Sequence, residues 1–241
     1  MGDVTPGDAD RLPVHADLRH VLDRSLPSCH PDTVERLVET VRMRTFRAGE
    51  HIYPQGEPVP LTVILEGYGA ARRTTSSGKE IISGIAPAGV LFGWSGLASI
   101  PSSIELVALT NGKVAQWSGR EIRELAIKDP RLALAAIDSM GLSLHETVER
   151  IEGFLHQDAR LRVLRILARH RDLFFGEPPV LPRTLLPGLV GTSREMTGRV
   201  LRSLESERVI ARVGRRGLRL LEPGALDEAL DDRCDASRDA S

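Results

Sequence analysis

The spacing of apolar residues changes twice along the chain. From 17 to 42, Leu18, Val21 and Leu22 and then Val34, Leu37, Val38 and Val41 recur every three or four residues, which predicts helix. Pro27 and Pro31 divide this stretch into two short helices, and Pro31 suits a first helical turn, where no partner is needed for its missing N–H. Between 45 and 117 the helical period disappears. Short β-branched or aliphatic runs at 51–53, 61–65, 69–72, 80–85, 104–108 and 113–117 alternate with turns bearing Gly or Pro, such as Gln55-Gly56-Glu57 and Asn111-Gly112-Lys113. Regular turns between short strands predict an antiparallel sandwich or barrel.

From about 120 the helical period returns and persists. Leu134, Ile137, Gly141, Leu144, Val148, Ile151 and Leu155 step alternately by three and four, flanked by polar groups such as Asp138, Ser143, Glu146 and Glu149. So narrow a seam on a helix predicted over 120–156 suits a partner helix, hence a homodimer, better than it suits wrapping a core. The alternative is an amphipathic helix lying on the β-domain. After His156-Gln157-Asp158, helical spacing resumes at Leu161, Val163, Leu164, Ile166 and Leu167, and short helical pieces follow at 184–190 and 193–206. Two strands around Gly214-Arg215-Arg216-Gly217 complete the order helix, helix, turn, helix, hairpin, which is that of a winged helix-turn-helix over 157–221. Residues 1–16 read as a disordered tail and 222–241 as an acidic one.

Composition narrows the class. Two cysteines, Cys29 and Cys234, exclude a disulfide framework, a four-thiolate zinc site and a cysteine-ligated iron–sulfur cluster. No apolar run reaches the ~18 residues of a membrane span, and the first residues are acidic with no signal core, so a cytoplasmic protein is expected. The net charge of -1 conceals an asymmetry. Fourteen arginines, no lysine and five acids put residues 160–219 at +9, leaving -10 on the remainder. A basic domain set against an acidic remainder is the footprint of contact with phosphates, the bland alternative being an Arg-rich solvated surface. An enzyme is not expected: a metal site in the β-domain would need converging ligands, and that segment offers only His51 and few acids.

The stretch from Leu189 to Leu204 carries the binding chemistry. Gly191 can adopt the left-handed backbone of a sharp turn between helices, and Ser193, with Thr192 beside it, can cap the next helix. Val200, Leu201 and Leu204 then face inward, leaving Arg194, Glu195, Arg199 and Arg202 outward. Arg binds guanine O6 and N7 bidentately, Glu accepts from cytosine N4, and the capped helix end suits a phosphate. A wet surface pair between Glu195 and an arginine is the structural alternative.

This segment resembles the DNA-binding domain of the Crp–Fnr family of transcription regulators, whose reading helix begins Ser-Arg-Glu and carries Arg four residues after the Glu. The resemblance covers roughly residues 20–221. It implies an α+β chain: an N-terminal antiparallel β-roll of the cyclic-nucleotide-binding type over 17–119, a long dimerisation helix, and a C-terminal winged helix-turn-helix. It further implies guanine reading by Arg194 and Arg199, cytosine reading by Glu195, and a homodimer on a two-fold-related operator in double-stranded DNA. Arg215 and Arg216 would reach backbone or minor groove, Phe154-Leu155 would be the interdomain hinge, and RNA polymerase would be a partner. The chain departs from the family at Pro187, which implies a short first helix starting near Thr184.

A second departure lies in the β-roll. The family often holds a cyclic nucleotide through Phe-Gly-Glu and, about ten residues on, Arg-Ser. Here the run is Phe92-Gly93-Trp94-Ser95, followed by Ser102-Ser103, so Trp94 replaces the acid and Ser102 the cation. Without that cation a cyclic phosphate would face a desolvation cost of several kcal/mol, on the order of a buried charge left unpaired, so cyclic AMP is disfavoured and no cofactor is expected. Met140, Leu144 and His145 of the long helix would face the same pocket, in which Trp94 would stack on a planar ligand, plug the space or fill core. Another small ligand is an alternative, as is a haem-bound gas with His51, His145 and His156 as candidate ligands. A non-DNA interaction module remains a further one.

Overall fold

The computed structural model describes residues 17–76, 78, 80–222 and 224–230. The chain forms two compact units that divide between Thr147 and Val148. The first begins with two helices, α1 (Leu18–Ser25), capped by the Asp17 carboxylate on the His20 N–H at 2.9 Å, and α2 (Pro31–Thr40) with Pro31 in its first turn. Eight strands follow: β1 (Arg42–Phe46), β2 (His51–Tyr53), β3 (Leu61–Glu66), β4 (Tyr68–Thr74), β5 (Glu80–Pro87), β6 (Leu91–Phe92), β7 (Glu105–Ala108) and β8 (Gly112–Trp117), with a 3-10 turn at Trp94–Ala98. They make two antiparallel four-stranded sheets, ordered β1-β8-β3-β6 and β2-β7-β4-β5. β1 and β6 carry no strand signal in the sequence: Arg42-Met43-Arg44-Thr45 and Leu91-Phe92 lack a sustained apolar alternation.

Two cores follow from the pleat. Leu61, Val63 and Leu65 of β3 enter a cluster with Leu22, Leu37, Trp117 and Leu132 on the helix-covered side, while Ile64 joins Phe46, Ile52, Tyr53, Leu106 and Val114 inside the roll. Because successive side chains on a strand point to opposite faces, a strand buried on both is almost continuously apolar; the exception in β3, the buried Thr62, donates its hydroxyl to the Pro60 carbonyl at 2.9 Å. The Trp117 indole N–H donates to the Leu37 carbonyl at 2.8 Å, tying α2 to β8.

The helical stretch expected over 120–156 is two helices, α3 (Gly119–Lys128) and α4 (Pro130–His156). Pro130 excludes a helical conformation at the residue before it, and Asp129 is accordingly extended at φ -124 and ψ 94. Asp129 at this break is buried, and its side chain is used. The Asp129 carboxylate accepts from the His30 N–H (2.7 Å), the Thr33 hydroxyl (2.9 Å) and Arg131 Nε (2.8 Å), clasping the N-terminal helices to the start of α4.

In the second unit α5 (Ala159–Arg169), capped by Asp158, and α6 (Arg171–Phe175) precede a 3-10 turn (Arg183–Leu185), α7 (Leu186–Val190) and α8 (Arg194–Ser206). β9 (Ile210–Val213) and β10 (Gly217–Leu220) then form an antiparallel hairpin. The predicted tail from 222 needs correcting in its first part. Residues 225–230 are helical, Leu226 is fully buried and Asp227 pairs with Arg171 at 2.7 Å, so an apolar anchor holds this segment to the domain. Residues 1–16 and 231–241, also read as tails, lie outside the described residues.

Candidate nucleic-acid interface and effector region

The turn before α8 is built on Gly191, whose φ of +68 ends α7 and whose N–H donates to the Pro187 carbonyl. Pro187 sits in the first turn of α7, where a helix tolerates it; the helix is consequently five residues long and preceded by the 3-10 turn. Ser193 then caps α8, its hydroxyl accepting the Met196 N–H at 3.1 Å. Thr197, Val200, Leu201 and Leu204 are buried, which fixes the rotation of α8 about its axis. Ser193, Arg194, Glu195, Arg199 and Arg202 are thereby left exposed and Thr192 half-buried. Glu195 and Arg199 pair across one turn at 3.2 Å, with side-chain exposures of 82% and 64%. A pair so open to water separates at little cost when either partner finds a better one.

Arg215 and Arg216 are exposed on the turn between β9 and β10, where Gly214 takes φ +54. Contacts that the sequence did not signal brace this wing and the turn. Glu205 of α8 accepts from the Arg212 backbone N–H (3.0 Å) and guanidinium (2.6 Å) of β9, and the Arg183 N–H donates to the Arg216 carbonyl (2.8 Å). Arg162 donates to the Phe154 and Gln157 carbonyls (3.2 and 2.9 Å) and lies 5.6 Å above the Phe154 ring, which itself abuts Gly191. None of these pairs has a spacing that marks it in advance.

Along α4, Leu134, Ile137, Leu144, Val148, Ile151 and Leu155 are each more than half exposed, and a Cβ placed on Gly141 would meet nothing within 4 Å. Only Leu132 and Ala136 of this helix are buried. Among the described residues, this row of large aliphatic side chains is left largely exposed.

The residues singled out for an effector do not converge. Phe92 packs on the cluster inside the roll, whereas Trp94, 5% exposed, belongs to the helix-side core. One edge of Trp94 borders a groove of about 560 Å³ shared with Arg24, Arg131, Leu134 and Asp138. Gly93 is left-handed at φ +96, and a Cβ there would lie 2.2 Å from the Pro60 carbonyl, so the backbone turns sharply against the strand entry. Ser102 is buried with its hydroxyl engaged by its own loop, donating to the Ile104 carbonyl (2.5 Å) and accepting the Ile104 N–H (3.2 Å). Ser95 and Ser103 are exposed, as are Met140 and His145 on α4. His51 pairs with Glu105 at 3.1 Å, and Glu105 also accepts from Arg72 at 2.6 Å. Among the described residues no three His, Cys, Asp or Glu side chains cluster as metal ligands, and no helix is long and apolar enough to cross a membrane.

Residues 43–129 match the cyclic nucleotide-binding domain model. The cAMP-activated global transcriptional regulator Vfr of Pseudomonas aeruginosa is 28% identical over 207 residues, covering 80% of this chain and 90% of that protein. The fold is shared with the c-di-GMP responsive global regulator CLP of Xanthomonas campestris, at 22% identity and a TM-score of 0.66, over 80% of this chain and all of that one. A CRP/FNR-family transcriptional regulator of Thermus thermophilus gives the same TM-score at 21% identity, over 79% of this chain and 98% of that one. Residues 43–129 thus carry a cyclic nucleotide-binding domain, and along about four fifths of its length the chain shares the fold of solved regulators of the Crp–Fnr kind, with the winged helix-turn-helix following the domain.

Proposed function

We propose that two copies of this chain pair along α4 and read a two-fold-related site in double-stranded DNA with α8, as a transcription regulator that does not take cyclic AMP in the usual manner. The observation that carries the DNA reading is the exposure of Arg194, Glu195 and Arg199 on the first turns of a capped helix that follows a left-handed glycine. These turns are the part of a recognition helix that enters the major groove. There the two guanidinium groups match guanine edges and the carboxylate matches cytosine N4, while Arg215 and Arg216 suit flanking phosphates or the minor groove. Pairing is supported by the aliphatic row on α4, whose three- and four-residue steps suit a second identical helix. The pair must hold its reading helices about one turn of DNA, ~34 Å, apart.

The relatives named above include one activated by cAMP and one responsive to c-di-GMP. This chain departs from the usual cyclic AMP pattern, because residues 92–104 contain no charged side chain and Ser102 is already satisfied within its own loop. A cyclic phosphate would find no cation in that segment. An effector, where one acts, works only by its different affinity for DNA-competent and incompetent arrangements of the dimer.

Selection of purified protein on random duplexes, with and without cyclic AMP, tests both parts. A palindromic preference is expected, with no sharp gain from cyclic AMP. Arg199→Ala is expected to lose ~1–3 kcal/mol of discrimination at one base pair per half-site. Equal grip on selected and scrambled duplexes would overturn the DNA reading; a sharp gain with cyclic AMP would overturn the effector argument alone.

A further inference from the structure

We infer that Glu205, which faces the wing and not the DNA-reading end of α8, is a positioning residue that sets where the wing arginines lie relative to the base-reading side chains. The inference rests on the DNA-binding reading above. Glu205 is in the last turn of α8, well past Arg194, Glu195 and Arg199, and its carboxylate is the meeting point of three segments. One oxygen accepts the Arg212 backbone N–H at 3.0 Å and the other the Arg212 guanidinium at 2.6 Å, so β9 is gripped by both its main chain and its side chain. The site is partly shielded, with Glu205 and Arg212 side chains 25% and 39% exposed. Arg183, at the entry to the helix-turn-helix, adds a third cation. Its charge acts on Glu205, its Nη1 is buried with no hydrogen-bond partner among the described residues, and its N–H holds the Arg216 carbonyl at the far end of the hairpin. The hydrogen bonds from Arg212 hold the Glu205 carboxyl below the usual range, so it remains ionised.

The wing is therefore fastened at two points. Its first strand is held to α8 through Glu205, and its tip is held to the start of the helix-turn-helix through Arg183. Between them Arg215 and Arg216 extend into solvent. Two flexible arginines on a fixed hairpin reach phosphates at a set distance from the bases read by α8, whereas on a loose hairpin they must be ordered on binding at an entropic cost.

Simple electrostatics and positioning predict opposite signs for loss of this carboxylate. Deleting a negative charge from a basic DNA-binding face should tighten binding to any duplex. Loss of the wing's anchorage should weaken it. The test measures affinity of the full-length protein for its selected operator and for a scrambled duplex over a range of salt. Glu205→Ala is compared with wild type, alone and in an R215A/R216A background, with folding checked by far-UV circular dichroism. E205A is expected to weaken operator binding roughly tenfold and to flatten the salt dependence, since each phosphate contact contributes about 0.9 to the slope. The R215A/R216A variant should flatten it by about 3 to 4 in a dimer, and adding E205A there should change nothing further. Base preference within the half-site should stay as in wild type. E205Q keeps an acceptor for the Arg212 N–H and removes the charge, so it provides the same comparison if E205A does not fold. Tighter binding by both Glu205 variants, or an equal loss with and without the wing arginines, would overturn the positioning role. Failure of wild type itself to distinguish operator from scrambled duplex would overturn the DNA reading instead.

Discussion

Replacing Gly191 by alanine tests whether the end of α4 is keyed into the turn that launches α8. Two costs can be worked from the geometry. The first is conformational: φ is +68, and a residue bearing a Cβ loses about 1–2 kcal/mol in the left-handed region. The second is steric. The new Cβ would lie 2.7 Å from Phe154 Cε1 and 3.1 Å from Cζ, well inside the ~3.5–4.0 Å of an ordinary carbon contact. Phe154 is 44% exposed, so its ring has room to swing away, but doing so abandons the stacked Arg162 guanidinium, a contact worth about 0.5–1 kcal/mol at such a site. The expected total is about 1.5–3 kcal/mol. Gly214→Ala is the internal standard: its φ is +54 and nothing lies within 4 Å of the added Cβ, so it incurs only the first cost.

Hydrogen exchange at the α7 and α8 amides measures these losses directly. Both tryptophans, Trp94 and Trp117, lie in the first unit, so their fluorescence transition serves as a control that should not move. In a Phe154→Ala background the steric part vanishes, and G191A should then cost no more than G214A. If G191A costs the same with and without the Phe154 ring, the keyed contact between helix end and turn has no energetic weight and the reasoning fails.

Leu144→Glu places a charge in the aliphatic row of α4; wild type is expected to sediment as a dimer and this variant as a monomer in sedimentation velocity, with operator affinity falling in parallel. Asp129→Ala should destabilise the first unit by about 3 kcal/mol in chemical denaturation followed by tryptophan fluorescence, because three charge-assisted hydrogen bonds are lost. Burial alone would push the Asp129 carboxyl up, but the Arg131 guanidinium and the His30 and Thr33 donors hold it well below the usual range. The clasp's contribution is therefore complete above pH ~4 and declines as pH falls from there, a decline D129A should lack. In the second unit, burial and then the Arg169 charge lower His170 from 6.5 to about 4. The unfolded chain takes up that proton first, so stability is full above about pH 6.5 and should be lower by up to about 2 kcal/mol at pH 5, a difference that His170→Gln removes in circular-dichroism melts at the two pH values.

What was legible in the chain follows from which forces act locally. The strands at 61–66 and 112–117 announce themselves because both faces of each are buried, and the left-handed turn and cap at Gly191 and Ser193 because backbone conformation and side-chain chemistry select those residue types. β1 escaped notice because only Phe46 of its five residues is buried. The break at Asp129-Pro130 carried a proline signal but was outweighed by the long apolar seam that continues through Leu134. Trp94 illustrates a choice that the sequence leaves open. Its position in the motif leaves ligand stacking, a plug and core filling all open, and the 3-10 turn after Gly93 directs the indole into the helix-side core, a choice made by tertiary packing. The braces at Arg162 and Glu205 join residues of different elements, and pairing of that kind becomes visible only once the elements are assembled.

Under the proposed DNA reading, the Glu195–Arg199 pair is a surface contact of little stability value that would sharpen recognition. Off DNA the two charges neutralise each other in water, and separating them is cheap because both are more than half exposed. On the proposed reading, Arg199 would gain a bidentate guanine edge on DNA, and Glu195 would then stand in a groove lined by phosphates with its own partner withdrawn. Only a base that donates, cytosine N4 or adenine N6, compensates it; at any other base the carboxylate is desolvated against acceptors, a penalty of the kind that unpaired buried charge always carries. Glu195→Ala should therefore raise affinity for scrambled duplexes while lowering the ratio of selected to scrambled binding. A carboxylate that merely restrained Arg199 would instead leave that ratio unchanged when removed, and competition binding at fixed salt separates the two.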